Sequence, residues 1–352
     1  MITSSHVFDD EHLPRELRHR EGEVEVLSTA FDPALRGAAA QNILISGPSG
    51  VGKTVLARHT LGKLEQYAHV PHAHIRCLGE TTGQVLRAAL KAHPRGRDVR
   101  HNTPVERVRV DLREVVADPY ILILDEADGL PSTDVLEEVG AIPGVSVVVI
   151  CHDSERFLAD VGGEARRLID QHVDVDRYTV DELSDILRAR ADRGLQPEVV
   201  TEGQLEAIAD EVAGVARDGI QSLRAAAELA GERGHSTIAD RDVQDGFERA
   251  RRFIRESNLQ SLPIHHHVIY EIVREWGPLG AGALHDRYED VADQALADSQ
   301  RTPLGERARR NKLAKLVAYD LVDAEGEGPH REYCAVDERL RSDVVDVGAV
   351  VE

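Results

Sequence analysis

The sequence has few cysteines and no long apolar run, and both absences narrow the possible classes of protein. Its 352 residues include three cysteines, Cys77, Cys151 and Cys334, which lie far apart without C-x-x-C spacing. Neither a disulfide framework nor a zinc ribbon is expected, so these cysteines are interpreted as small apolar residues in a reducing compartment. No run of eighteen apolar residues and no signal peptide occurs. The sequence therefore predicts a cytoplasmic protein without a membrane partner.

Lysine is scarce, whereas acidic residues are abundant. There are five lysines against 37 arginines, and the formal net charge is −21 with an isoelectric point near 5.2. The acidic excess is spread along the chain rather than collected in a tail. Such a composition resembles the proteins of salt-loving archaea, in which net charge reflects the solvent. The global sign of the charge therefore says little about nucleic acid as a partner.

A glycine-rich string between an apolar strand and a helix matches a phosphate loop, G-x-x-x-x-G-K-T. Its glycines let backbone N–H groups approach phosphate oxygens, and the following helix adds its positive dipole end. Lys53 is expected to reach the β- and γ-phosphates, and the Thr54 hydroxyl to ligate Mg²⁺. The predicted nucleotide-binding residues are Gly47, Pro48, Ser49, Gly50, Val51, Gly52, Lys53 and Thr54.

Two carboxylates end a second apolar strand. Residues 121–124 read Ile-Leu-Ile-Leu and are followed by Asp125 and Glu126. A buried parallel strand places Asp125 at the phosphate end of the sheet, where it would hold Mg²⁺ with Thr54. Glu126 could polarise an attacking water. The alternative is a chance glycine-rich turn and a strand that happens to end in acid. Together the two strings favour a protein that binds a nucleoside triphosphate with Mg²⁺ and is built to hydrolyse it.

The order of predicted elements divides the chain into three domains, residues 1–177, 178–258 and 259–352. Apolar strands alternate with amphipathic helices in the first domain, which predicts an α/β core with a parallel sheet. The second domain reads as an all-helical lid. The third has three helices and a glycine-rich hairpin, the order of a winged helix-turn-helix.

Positive charge is concentrated in the last of these helices. Residues 300–316 contain six basic residues and one acid. On a helical projection Arg307, Asn311 and Lys315 share one face. Leu313, Leu316 and Val317 are expected on the opposite, core-facing side. A helix with this face suits a DNA groove, although a winged helix that contacts protein through a solvated basic face is the alternative. The candidate DNA contacts are Arg307, Arg310, Asn311, Lys312, Lys315, His330 and Arg331.

Five segments carry a resemblance to a known family. They are residues 14–21 (PRELRHRE), 47–54, 125–128 (DEAD), 178–183 (YTVDEL) and 214–217 (GVAR). In this order, and followed by a winged helix, they resemble the archaeal origin-recognition and Cdc-six type replication initiators, haloarchaeal ones in particular. The resemblance covers nearly the whole chain and implies an AAA+ ATPase fold with a C-terminal winged helix.

The resemblance also implies roles for three further residues. His152 stands where the family commonly has an asparagine that orients water or senses the γ-phosphate. Arg217 matches the sensor-two arginine, which contacts the γ-phosphate from the lid. Arg166, or its neighbour Arg167, matches the arginine finger, although both could be plain surface residues. The altered sensor and finger imply a slow ATPase that uses ATP as a switch.

The function expected from this resemblance is ATP-dependent initiation of DNA replication. Such a protein recognises origin duplex DNA in the nucleoid and helps to recruit or load the replicative helicase, together with other initiator copies. Two alternatives stay open. One is an ATP-regulated DNA-binding paralogue that controls transcription or a mobile element, and the other is a clamp-loader-like remodelling ATPase.

Overall fold

The computed structural model describes residues 1–297, 299, 301–326, 328–345 and 347. The remaining residues of the predicted third domain lie outside this description. The chain forms two compact units, Met1–Gly246 and Phe247–Glu352. The division falls inside a helix, and the two predicted borders between the three domains stay predictions.

A parallel sheet forms the centre of the first unit. The strands are β1 (Ile43–Ser46), β2 (His72–Arg76), β3 (Tyr120–Asp125), β4 (Val145–Ile150) and β5 (Gln171–Asp174). Within the described residues they lie in the order β2-β3-β4-β1-β5, and every pairing is parallel. All residues of β1, β3 and β4 are buried, as expected for strands covered on both faces. The predicted α/β core with a parallel sheet is confirmed.

Helices cover both faces of this sheet. They are α1 (Glu21–Leu35), α2 (Lys53–Leu64), α3 (Thr82–Ala92), α4 (Val105–Val115), α5 (Asp134–Gly140), α6 (Ser154–Asp160) and α7 (Gly163–Arg167). Because side chains alternate along a strand, Ile43 and Ile45 belong to the apolar layer that includes residues of α1 and α2, whereas Leu44 belongs to the opposite layer, which includes residues of α3, α4 and α5. The sheet is thereby fixed between two apolar layers, and its carboxyl edge is left for the loops.

The lid is all-helical, as predicted. Its helices are α8 (Val180–Gly194), α9 (Glu202–Glu211), α10 (Ala216–Glu232) and α11 (Asp240–Gln260). Capping boxes begin α8 and α9, since Thr179 pairs with Glu182 and Thr201 with Gln204.

Besides the end of α11, the described part of the second unit contains three α-helices and a small antiparallel sheet. The elements are α12 (Ile264–Trp276), β6 (Leu279–Gly280), α13 (Ala281–Ala295), α14 (Glu306–Ala318), β7 (Val322–Glu325) and β8 (Glu332–Ala335). The strand order is β6-β8-β7 in the described residues. This arrangement agrees with the predicted winged helix. Trp276, the one tryptophan of the sequence, lies at the end of α12, with the guanidinium of Arg287 5.2 Å from its ring centroid.

The core-facing side of α14 differs from the prediction at one residue. Leu313 and Leu316 are buried, but Val317 is 37% exposed. Arg309, which is 4% exposed, lies on the buried face of the helix instead of Val317. At 100° per residue Arg309 projects between the two leucines, whereas Val317 projects roughly 80° from it, at the edge of the buried face.

No helix within the described ranges is long and apolar enough to cross a membrane.

Candidate nucleotide-binding site

The phosphate loop joins β1 to α2 and depends on left-handed glycines. Gly47, Gly50 and Gly52 have φ values of 141°, 76° and 97°. A Cβ atom at Gly47 would lie 2.2 Å from the Val175 carbonyl oxygen, so a side chain cannot be accommodated there. The loop is thus a close cradle of backbone that fits phosphate groups.

Lys53 is the first residue of α2, at the positive end of the helix dipole. Its side chain is drawn into the loop, where Nζ donates hydrogen bonds to the carbonyl oxygens of Gly47 (2.6 Å) and Pro48 (2.7 Å). The ammonium group is therefore positioned inside the cradle, as predicted for a phosphate-binding lysine.

Asp125 ends β3 beside the loop and faces Thr54. The Thr54 hydroxyl donates to Asp125 Oδ2 at 2.8 Å, and the Glu126 N–H donates to Oδ1 at 3.0 Å. His74 Nε2 lies 2.9 Å from Oδ2. Burial would raise the pKa of Asp125, but the hydrogen bonds from His74 and Thr54 outweigh it and hold the pKa below its ordinary value. An ionised carboxylate beside a hydroxyl is a donor set that suits Mg²⁺.

Glu126 and His152 lie at the same edge of the sheet, and each side chain is engaged. Glu126 has a left-handed φ of 54°, and its carboxylate forms an ion pair with Arg76 at 3.1 Å. His152 follows β4, and its Nδ1 lies 2.7 Å from Asp128 Oδ2. The His152 carbonyl accepts a hydrogen bond from the Gly47 N–H at 3.3 Å, which ties this segment to the phosphate loop.

The prediction from sequence did not include His74 and Arg76. Both project from β2, which runs parallel to β3 with Arg76 opposite Asp125. A usable signal was present, because carboxyl ends of adjacent parallel strands meet at one edge. From the sequence this rule was applied only to the strand that ends at Asp125, so the polar residues of the neighbouring strand were not assigned to that edge.

Arg217 brings the lid to the phosphate loop. It lies in the first turn of α10, and its N–H donates to the Gly50 carbonyl at 3.1 Å. Its guanidinium forms an ion pair with Asp10 at 2.7 Å. The preceding Gly214 has a φ of 78°, and a Cβ atom there would lie 2.0 Å from the Tyr178 carbonyl oxygen. The predicted lid arginine is therefore close to the predicted loop.

Arg166 lies apart from these residues. It is exposed on α7 and lines a polar cavity with residues of α6 and β5. In the described part of the chain no hydrogen bond or ion pair joins it to the phosphate loop. A finger acts on a neighbouring subunit's nucleotide, so its role stays a prediction.

The predicted DNA contacts lie in the second unit. Arg307, Arg310 and Asn311 are exposed on α14, and His330 and Arg331 are exposed at the turn between β7 and β8. Arg310 forms an ion pair with Glu306. Lys312 and Lys315 are partly buried. Burial and the nearby Lys315 lower the pKa of Lys312, and the Lys315 ammonium lies 4.3 Å from the Tyr319 ring centroid.

Two family models match the chain. One describes an AAA ATPase domain and covers residues 16–150, and the other describes a Cdc6 AAA+ ATPase-type lid domain and covers residues 184–248. ORC1-type DNA replication protein 9 of Halobacterium salinarum is 32% identical over 96% of this chain and 94% of that protein. ORC1-type DNA replication protein 1 of the same organism is 30% identical over 82% and 95% of the respective chains. The predicted halophilic character fits these relatives.

Solved structures agree in fold. The Aeropyrum pernix ORC1 protein in complex with DNA has a TM-score of 0.74 at 23% identity, covering 99% of this chain and 95% of that one. The Aeropyrum pernix ORC2 protein in ADPNP–ADP complexes has a TM-score of 0.64 at 22% identity, covering 99% and 96%. Because similarity to the Halobacterium protein extends through nearly the full length of both sequences, this chain belongs to the ORC1-type DNA replication proteins, with the AAA+ core and Cdc6-type lid of that family.

Proposed function

We propose that this protein is an ATP-controlled initiator that binds origin duplex DNA and helps to recruit or load the replicative helicase. The observation that carries the proposal is the hydrogen bond from the Arg217 N–H to the Gly50 carbonyl. It joins the first turn of the lid to the phosphate loop, so a change at the phosphates has a direct route to α10. Relatives along the full chain are named DNA replication proteins, which supports replication as the process served.

ATP or ADP would be held by the N–H groups of residues 47–54 and by the Lys53 ammonium. Thr54 and Asp125 offer oxygen ligands to Mg²⁺. When bound, Mg²⁺ neutralises charge on the phosphates. The hydrogen bonds to Asp125 keep its carboxylate ionised and oriented, which prepares it as a ligand.

Hydrolysis of ATP to ADP and phosphate is expected to be slow. Glu126 would polarise water, but its Oε1 already accepts hydrogen bonds from the Arg76 guanidinium at 3.1 and 3.3 Å. His152 stands at the sensor position, and its Nδ1 is occupied by Asp128. An engaged base and an altered sensor favour a bound state that lasts over rapid turnover.

Duplex DNA is proposed to contact the exposed face of α14. Arg307 and Asn311 offer the donors that read base edges in the major groove, while Arg310 and Lys315 suit phosphates. His330 and Arg331 would contact the backbone or an adjacent groove. The fold is shared with the Aeropyrum pernix ORC1 protein that was solved with DNA, which supports this assignment. The protein would act at the nucleoid, with further initiator copies and the helicase as partners.

A chromosome-wide binding map of wild type and Lys53→Ala tests the proposal. An initiator should occupy sites beside a replication start, and Lys53→Ala should change that occupancy because it removes nucleotide binding. Lys63→Ala is the matched control, since Lys63 is exposed in the last turn of the same helix. Occupied sites remote from every replication start would contradict an initiator.

A second candidate is an ATP-regulated DNA-binding paralogue that controls transcription or a mobile element. The His152–Asp128 pair, where the family commonly has an asparagine sensor, favours it. Binding at promoters or within a mobile element, with unchanged replication, would support this candidate. A clamp-loader-like remodelling ATPase would instead form a stable ring in ATP, without sequence-specific DNA binding, which sedimentation and DNA titration detect.

A further inference from the structure

The first fourteen residues, here called the N-terminal strap, contact both the lid and α2. On the lid, Ile2 bridges to Leu195, and the fully buried Phe8 lies against Gly194. Toward the core, Glu11 forms an ion pair with Arg58 on α2 at 2.6 Å. The strap therefore spans two elements whose relative position the proposed switch must change.

Asp10 lies in this strap opposite the lid arginine. Arg217 Nη2 is 2.7 Å from Asp10 Oδ2, and the Arg217 side chain is 23% exposed. One helical turn later, Gln221 Nε2 donates to Asp10 Oδ1 at 3.2 Å and to the Phe8 carbonyl at 2.9 Å. Gln221 is 2% exposed, so the Asp10 carboxylate is held by a fixed side chain as well as by the arginine.

The same arginine is anchored at the phosphate loop. Its backbone N–H donates to Gly50, and a Cβ atom built on Gly50 would lie 3.3 Å from Arg217 Cβ. The side chain thus starts beside the loop and ends on Asp10. A γ-phosphate in the loop and the Asp10 carboxylate are both anions. Both would bind the same guanidinium, that of Arg217.

We propose that Asp10 competes with the γ-phosphate of ATP for Arg217 and thereby lowers the preference of the protein for ATP over ADP. The inference rests on the proposed nucleotide switch. ADP has no γ-phosphate and leaves the Asp10–Arg217 pair in place, whereas ATP gains Arg217 at the expense of that pair. Only such differential contacts can shift the balance between two bound states. A contact pair with a mostly buried arginine also resists screening by salt better than distant surface charges do.

The test measures the dissociation constants of Mg-ATP and Mg-ADP for Asp10→Asn by titration calorimetry in molar KCl. We expect the affinity for ATP to rise about two- to fivefold, the upper range of one partly exposed ion pair, with less than a twofold change for ADP. Asp9→Asn is the matched control, because Asp9 is the adjacent acid and pairs with Arg224 at 3.4 Å. It removes the same charge and should leave the ratio of affinities unchanged.

A double variant assigns the effect to Arg217. Arg217→Ala should remove the gain, so Asp10→Asn combined with Arg217→Ala should bind ATP no better than Arg217→Ala alone. An unchanged ATP-to-ADP ratio in Asp10→Asn, or an equal gain in the Arg217→Ala background, would overturn this inference alone. A wild-type protein that binds neither nucleotide would overturn the proposed function with it. Asp10 is 37% exposed, so its replacement by asparagine is compatible with folding.

Discussion

Single buried residues set how this protein responds to protons and ligands. Asp125 keeps its charge because three donors compensate for its burial. His266 is the opposite case: it is fully buried on α12, its Nδ1 has a long contact of 3.3 Å to the Pro263 carbonyl, and its Nε2 has no hydrogen-bond partner among the described residues. Its charged form is therefore unsupported in the folded state.

His266 should make the second unit sensitive to acid. Burial and the nearby Lys312 lower its pKa to about 3. The pKa of a histidine in the unfolded state is about 6.5. Between pH 6.5 and 3 the unfolded state therefore binds a proton at His266 that the folded state does not bind, and the free energy of unfolding falls as the pH falls. His266→Met should flatten the decline in unfolding free energy by about 1 kcal/mol per pH unit between pH 6 and 5.

Denaturant titrations at pH 7, 6 and 5 check this prediction. His330→Gln is the control, because His330 is exposed in the same unit and should leave the slope unchanged. Equal slopes for wild type and His266→Met would contradict the expected role of burial.

At the scale of elements, function depends on how helices begin and which face they bury. The start of α10 is defined by Gly214, whose backbone lies against Tyr178 at the border of core and lid. The face of α14 is defined by Arg309, which reaches inward: its Nη2 lies 2.9 Å from Glu289 and its guanidinium carbon 5.0 Å from the Tyr288 ring centroid.

Gly214→Ala should destabilise the first unit. The residue has a left-handed φ, and the new Cβ would meet the Tyr178 carbonyl at 2.0 Å, so backbone must move, at a cost of about 2 kcal/mol or more. Gly231 lies near the end of the same helix, and a Cβ atom there would have open space around it. Gly231→Ala should therefore stabilise the first unit slightly, by up to about 1 kcal/mol. Thermal unfolding of both variants measures the contrast, and equal midpoints would refute it.

If α14 binds DNA, Arg307→Ala and Arg309→Met should have different effects. The first should weaken DNA binding, and the second should lower the stability of the fold. Loss of an exposed phosphate- or base-contacting cation should weaken DNA binding and reduce the salt slope of log affinity by up to about 0.9. Arg309→Met should lower the unfolding free energy by about 1–3 kcal/mol and leave the salt slope unchanged, because Arg309 is buried. Anisotropy titrations across KCl concentrations, beside unfolding curves, distinguish the two. A reduced slope in Arg309→Met would place that residue at the DNA.

Local sequence determines some of these elements and leaves others open. The phosphate loop was predictable because glycine, lysine and threonine at this fixed spacing rarely occur together in any other kind of turn, and β3 because an unbroken apolar run needs two covered faces. From the sequence, Arg309 was counted only among the six basic residues of 300–316. Its i+4 and i+7 neighbours, Leu313 and Leu316, nevertheless indicate that it faces the core. The Asp10–Arg217 pair spans more than 200 residues, and no local period encodes such a contact.

At the scale of the whole molecule, the net charge of −21 governs how stability depends on salt. Repulsion among acids opposes the compact state, and at molar salt the Debye length falls to about 3 Å. The unfolding midpoint should therefore rise steadily as KCl increases from 0.1 to 2 M. A neutral osmolyte at equal osmolality is the control and should give a smaller rise. A protein that is equally stable in dilute buffer would count against halophilic adaptation.

The position of Trp276 has a practical consequence. The first unit holds the candidate nucleotide site, and the one indole of the sequence is in the second, beside Arg287. When ATP is added, intrinsic emission excited at the red edge of indole absorption therefore monitors the second unit, whereas the candidate nucleotide site belongs to the first. A change in that emission would be an unlabelled optical record of a signal arriving from the other unit.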